Sequence, residues 1–231
     1  RVIMSKETLL SDSLVRTCYS TVHKWAVVHT PFKRIFDILF SLGLLIVASP
    51  LFLLLSVLVL LSSRGPIFYV QERVGRGGSV FKCYKFRTMY MDAEKRLEEI
   101  LLYCPSKRKE WEETRKLKND PRVTLVGQWL RRSSLDELPQ FFNVLKGDLS
   151  VVGPRPVVTE EILHHFGEKA STIFAVRPGV TGLWQVSGRS DTSYSKRVAL
   201  DEQYVRERTA FKDLKIIALT IPKMITRNGA Y

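Results

Sequence analysis

The sequence predicts an α/β fold, mostly helical with a small β-hairpin, and one apolar segment long enough to enter a membrane. Three observations carry that expectation. Residues 35–61 form an apolar run in which Asp37 is the sole charge. A Gly75-Arg76-Gly77-Gly78 turn separates two stretches of strand character. Elsewhere, apolar residues recur at helical spacing between Gly and Pro punctuation. With 231 residues, 45% of them hydrophobic, the chain can build one substantial domain. Its formal net charge of +13 calls for anionic partners: lipid head groups, phosphorylated substrates or nucleic acid. Cys18, Cys83 and Cys104 are scattered without C-x-x-C spacing, which disfavours a disulfide framework or zinc site and fits a reducing cytosol.

Taken in order, residues 1–34 are a weakly patterned N-terminal segment, expected at a membrane surface, that ends in the basic pair Lys33 and Arg34. Residues 35–64 are the membrane segment. As one helix, roughly 27 apolar residues at ~1.5 Å each would measure ~40 Å, more than the ~30 Å hydrocarbon core. Pro50, preceded by Ser49, interrupts the run, and neither half could cross alone. Cations lie at both ends, Lys33 and Arg34 before and Arg64, Arg73 and Arg76 after, which favours both ends on the cytoplasmic side. The physical features leave two readings open: a re-entrant segment hinged at Ser49 and Pro50, or a proline-kinked span.

Residues 65–231 are the globular domain. It opens with a hairpin, residues 67–74 and 79–89, whose alternation puts Lys85 and Arg87 on the face of Phe81 and Cys83. Two such cations suit a phosphate or a carboxylate, and equally a solvated basic face. Residues 92–117 read as two charged helices divided at Pro105, residues 118–121 as a turn, and residues 123–130 as the approach to the central stretch.

That stretch, residues 131–156, has the adjacent carboxylates Asp136 and Glu137 at its centre with arginines on both sides. Ser134 is expected to cap a helix beginning there, with Glu137 completing a capping box worth roughly 0.5–2 kcal/mol. The positive end of the same helix would keep Asp136 ionised, as a carboxylate must be to attack phosphorus. The pair alone supports both the structural and the chemical role. Leu138, Phe141, Phe142 and Leu145 then form an apolar helix face, Lys146-Gly147-Asp148 stops the helix, and residues 149–152 read as a short buried strand. In Gly153-Pro154-Arg155-Pro156, two prolines restrain the backbone around Arg155, either to present it to a phosphate or to make a rigid turn.

His164 and His165 are expected at the surface of the next helix. The loop of residues 177–189, bounded by Arg177 and Arg189 and containing Gln185, is rich in glycine and suits a diphosphate, although it matches neither a Walker loop nor a dinucleotide fingerprint. Residues 194–208 form a helix with Arg197 and Asp201 at i,i+4. Residues 211–225 form an amphipathic segment suited either to a membrane surface or to the core.

Five motifs now stand in order: K-R-I-F-D before the apolar run with Ser49 and Pro50, then Y-K-F-R-T-M, S-L-D-E-L-P-Q, G-D-L-S-V-V-G-P-R-P and R-P-G-V-T-G-L-W-Q-V-S-G-R. Together they resemble the bacterial sugar transferase family, the monotopic polyprenyl-phosphate phosphoglycosyl transferases, over residues 33–231. The K-L-K-N-D-P-R segment and the R-N-G-A-Y ending look most like members that begin exopolysaccharide or O-antigen units with galactose or glucose.

The resemblance implies a monotopic protein of the bacterial inner membrane, held by a re-entrant helix-break-helix, with its catalytic domain on the cytosolic face. Asp136 would be the nucleophile toward a UDP-sugar, releasing UMP and retaining a phosphosugar. Glu137 would assist transfer of that group to undecaprenyl phosphate. Mg²⁺ would lie beside Asp136. Arg155 and Arg131 would hold phosphate charge, Lys85 and Arg87 would line the same site, and the loop with Arg177, Gln185 and Arg189 would bind the nucleotide-sugar. Partners would be membrane lipid and the two substrates, with no nucleic acid and with scope for a homo-oligomer. Two other readings are transfer of the bare sugar with release of UDP, and a basic membrane-tethered binding module in which Asp136 and Glu137 only cap a helix.

Overall fold

The computed structural model describes residues 31–114, 117–188 and 192–226. Most of the expected surface segment at residues 1–34 therefore lies outside the described residues. Helix α1 (Pro31–Val47) and helix α2 (Ser49–Ser62) meet at a 66° bend. No single described helix is long and apolar enough to cross a membrane, but this bent pair together has the length and composition. The bend follows from covalent structure. Pro50 has no N–H to give the Ile46 carbonyl, and the Ser49 hydroxyl donates to that carbonyl instead, at 2.8 Å.

The pair turns one flank to the domain and one away. Leu55 and Val59 are fully buried against Phe86, Leu130 and Leu138. Asp37 is buried too, accepting from the Ser150 hydroxyl and the Val151 N–H. The outer flank, including Ile35, Leu39, Ile46, Leu53 and Leu61, is exposed.

The predicted hairpin forms from β1 (Phe68–Val74) and β2 (Val80–Phe86), antiparallel, with Tyr69 opposite Lys85 and Arg73 opposite Phe81. The two charged helices follow as α3 (Ala93–Tyr103) and α4 (Pro105–Thr114), and Thr124 caps α5 (Leu125–Ser133) by accepting from the Gly127 N–H. After α6 (Gln140–Lys146), strand β3 (Ser150–Val152) pairs in parallel with β4 (Gly179–Thr181), a pairing the sequence did not disclose.

Between and after these strands lie α7 (Thr159–His165), α8 (Lys169–Phe174), α9 (Leu183–Val186), α10 (Tyr194–Glu207) and α11 (Ala210–Thr226). The two short sheets and α10 enclose a core around Cys83, Val144, Leu149, Val152 and Tyr204.

Close backbone packing explains two glycines of the predicted ligand loop, Gly179 and Gly182, and Gly153 of the strand turn they face. A Cβ on Gly179 or Gly182 would fall within about 2 Å of Gly153 backbone atoms, and one on Gly153 would collide with the Arg177 carbonyl. These glycines let the segment at residues 177–182 press against residue 153.

Candidate active site

The carboxylate pair sits on a connector, not at a helix start. Ser134 ends α5 in a left-handed conformation (φ 58°), and Leu135–Glu137 then make one 3₁₀ turn before Pro139 and α6. The expected capping box is absent, because Ser134 makes no side-chain cap and Glu137 turns to stronger partners. Lys85 Nζ donates to Glu137 Oε1 at 2.6 Å, and Arg155 Nη2 lies 3.6 Å from the same oxygen. Lys85 reaches it from the end of β2, while Arg155 comes from the turn after β3.

The two neighbouring carboxyls are driven apart. Burial pushes both upward, but the charges of Lys85 and Arg155 outweigh it at Glu137 and hold that group well below the usual carboxylate range. Asp136 accepts no hydrogen bond among the described residues, and burial followed by the Glu137 charge raises it to about 6, against opposing contributions from Lys85, Arg131 and Arg155. The expected help of a helix end in keeping Asp136 ionised is therefore missing, and the cluster of three cations around it only partly offsets burial and the Glu137 charge. Arg131, whose Nε donates to the Thr88 hydroxyl, belongs to that cluster. The nearby Cys83 thiol is buried and pushed up to about 11 by that burial, which leaves it unsuited to act as a nucleophile.

Two predicted cations are placed elsewhere. Arg87 lies beyond the end of β2, and its guanidinium donates to the carbonyls of Arg64 and Ser63, at 2.9 and 2.5 Å, and of Val59 at 3.2 Å. It closes the C-terminus of α2, where the open carbonyls of a helix end attract a cation. Arg177 Nε donates to the Gly147 carbonyl, and its charge acts on Arg76 and Arg34, so it stands apart from the carboxylate pair. Gln185 is buried, with neither amide atom bonded among the described residues. Arg189 lies outside the described residues.

A second ring of residues stands behind Arg155. The Trp184 ring receives both Arg155 (5.5 Å) and Arg197 (4.9 Å), and Arg197 also donates to Glu161 at 3.2 Å. Glu161 accepts from Tyr194 as well and pairs with Arg73 at 3.4 Å. Arg197 therefore bonds to Glu161, and toward its i,i+4 neighbour Asp201 it contributes charge without a direct bond. Arg73 was legible in part: the hairpin register sets it opposite Phe81, on the face that carries Lys85. Glu161 and Arg197 lie 36 positions apart and carry no local signal.

Among the described residues no group of three His, Cys, Asp or Glu side chains is placed to hold a metal. A magnesium ion held by one carboxylate and substrate phosphates needs no such group, and Asp136, with no donor on its oxygens, fits that role.

Comparison with known proteins agrees with the motif order. The family model described as bacterial sugar transferase matches residues 28–227. The chain is 50% identical to the exopolysaccharide production protein ExoY of Rhizobium meliloti, over 86% of this chain and 88% of that protein. It is 49% identical to an undecaprenyl-phosphate galactose phosphotransferase of Salmonella typhimurium and 39% identical to a UDP-glucose:undecaprenyl-phosphate glucose-1-phosphate transferase of Escherichia coli K12. In each of these two cases 86% of this chain is matched but only 41% of the longer relative.

Proposed function

The chain belongs to the bacterial sugar transferase family, and on that premise we propose that it transfers a hexose 1-phosphate from a UDP-sugar to undecaprenyl phosphate. The observation that carries this reading is Asp136: a carboxylate free of hydrogen-bond donors among the described residues, set amid three cations, beside a second carboxylate paired with Lys85 and Arg155.

In the first step an Asp136 oxygen attacks the sugar-linked phosphorus, the bond from that phosphorus to the bridging oxygen breaks, and UMP departs with the bond's electrons. The phosphosugar remains on Asp136 as an acyl phosphate. In the second, an oxygen of undecaprenyl phosphate attacks the same phosphorus and the Asp136 carboxylate leaves, giving a lipid diphosphate sugar. Arg155, Arg131 and Lys85 stabilise charge on the transferring group. Glu137 stays anionic and positions Lys85 and Arg155 for both steps. Bound Mg²⁺, held by Asp136 and the substrate phosphates, would supply neutralisation of phosphate charge.

In this reading α1 and α2 enter the cytoplasmic membrane from the inner face and return at Ser49 and Pro50. That places the pair where a soluble donor and a lipid phosphate can meet. Galactose and glucose are the favoured sugars, in the assembly of exopolysaccharide or O-antigen.

The test is product analysis with UDP-galactose and UDP-glucose labelled in the sugar-linked phosphate, using purified protein, undecaprenyl phosphate and Mg²⁺. UMP release with label entering the lipid, lost in Asp136→Ala, is the expected result. Release of UDP would replace the reading with bare-sugar transfer. Release of neither nucleotide would favour the binding module.

A further inference from the structure

At the opposite end of the hairpin from Lys85 a second basic pocket opens, lined by Lys33, Arg34, Arg76, Arg177 and Arg208. None of Asp136, Glu137, Lys85 or Arg155 lines it. Lys85 is next to the last residue of β2, and Arg76 lies in the turn before that strand. At ~3.3 Å per residue the two are on the order of 20 Å apart. We propose that this pocket is a second anion site, separate from the catalytic one, that takes a phosphate group at head-group depth, supplied by an anionic phospholipid or by free phosphate.

The internal partners leave positive charge unspent. Lys33 pairs with Asp213 at 2.7 Å, and Arg34 donates to the Val144 and Leu145 carbonyls that end α6. Arg208 donates to the Val205 carbonyl. Of Arg177, only Nε is engaged among the described residues, by Gly147. The half-buried Arg76 side chain has no hydrogen-bond or ion-pair partner among them. Asp37 is the sole carboxylate in the lining, and Ser150 and Val151 already donate to it.

Arg34 and Arg76 also lie near enough for their charges to act on Arg177. Burial lowers the Arg177 guanidinium below its ordinary value, and the charges of Arg76 and Arg34 lower it further. An anion among them would relieve both the repulsion and the open donors, and guanidinium groups match a phosphate in shape as well as charge.

Two flanking apolar surfaces set the depth. Phe32 (86% exposed) and Ile35 (55%) bracket Lys33 and Arg34 on the first turn of α1. On α11, which Asp213 ties to Lys33, Phe211 and Leu214 are exposed in the same way. Apolar side chains around a basic mouth are the arrangement of an interfacial site. The depth assignment rests on the membrane reading of α1 and α2 given above, whereas the phosphate site itself does not.

The test uses the full chain purified in detergent. Native mass spectrometry would count retained phosphatidylglycerol against phosphatidylcholine, and a parallel titration would use inorganic phosphate followed by ³¹P NMR. Support is retention of phosphatidylglycerol, or saturable phosphate binding, weakened about tenfold in Arg76→Gln and in Arg177→Gln but not in Lys85→Gln. Which probe binds identifies the source. If Arg177→Gln does not fold, Arg76→Gln decides alone, since that side chain supports no contact. Binding of both probes unchanged in Arg76→Gln, or of neither to the wild type, overturns the proposal. Flotation with neutral phosphatidylcholine vesicles tests membrane entry by itself. Its failure together with Arg76-dependent phosphate binding would sink the depth assignment alone.

Discussion

At the residue scale, Asp136 and Glu137 differ by one methylene and one position, yet their surroundings give them opposite characters. Glu137 is held ionised by Lys85 and Arg155, whereas Asp136 is raised to about 6. A nucleophilic carboxylate works only when ionised, so kcat/KM should climb between pH 5 and 7 with an apparent pKa near 6. Because Glu137 raises Asp136 and Lys85 lowers it, Glu137→Gln should move that acid limb down and Lys85→Gln should move it up, each by about half a pH unit or more. Shifts of equal sign would remove Asp136 from the role. A pH–rate series on the three proteins decides.

Asp201 offers a separate test through stability. It is fully buried, and that burial raises its carboxyl to about 7 against the charge of Arg197. The folded state therefore prefers the neutral form. The stability linked to this preference is present at low pH and lost as pH rises through about 7. Asp201→Asn should raise the unfolding free energy at pH 8 by on the order of 1–4 kcal/mol and leave it nearly unchanged at pH 4. Chemical denaturation at the two pH values checks this.

At the scale of elements, the bend between α1 and α2 and the connector between α5 and α6 do the positioning. Pro50 deprives the Ile46 carbonyl of its helical donor and Ser49 supplies one. Pro50→Ala restores the N–H and should allow α1 and α2 to continue as one helix, carrying the α2 end toward the far side of the bilayer. Cysteine-labelling in sealed inverted vesicles would show it: an accessible site near Arg64 should become protected in the variant. Unchanged accessibility would mean that packing of Leu55 and Val59 on the domain, not Pro50, sets the bend.

The connector illustrates a different limit of reading. Ser134, Asp136 and Glu137 have the spacing of a capping box, and local pattern favours a helix start. Lys85 and Arg155 offer Glu137 charge-assisted partners from 52 residues before and 18 after, and those interactions outweigh a neutral cap.

At the scale of the whole molecule, the +13 charge and the exposed flanks of α1, α2 and α11 should contribute separately to membrane attachment. Raising salt from about 0.05 to 0.5 M shortens the screening length severalfold. The excess binding to vesicles containing phosphatidylglycerol over neutral ones should then largely vanish, while binding to neutral vesicles persists. Co-sedimentation at the two salt concentrations measures both parts, and complete release at high salt would mean that no apolar element is inserted.

The hairpin, the two helices divided at Pro105, the break at Ser49 and Pro50 and the family itself were all legible in the sequence. Each depends on interactions between residues close in the chain, or on motif order, and both are written linearly. Which cations meet the carboxylates was not legible, because alternation assigns Lys85 and Arg87 to one strand face and says nothing of where the strand ends. Tertiary structure alone separated them, sending Lys85 to Glu137 and Arg87 to the carbonyls closing α2. It alone paired β3 with β4, drew Glu161 to Arg197, and gathered Arg34, Arg76 and Arg177 into a second basic site. The physical reason is that charge and hydrogen bonding act through space, so residues far apart in the chain become partners only when the core brings their elements together.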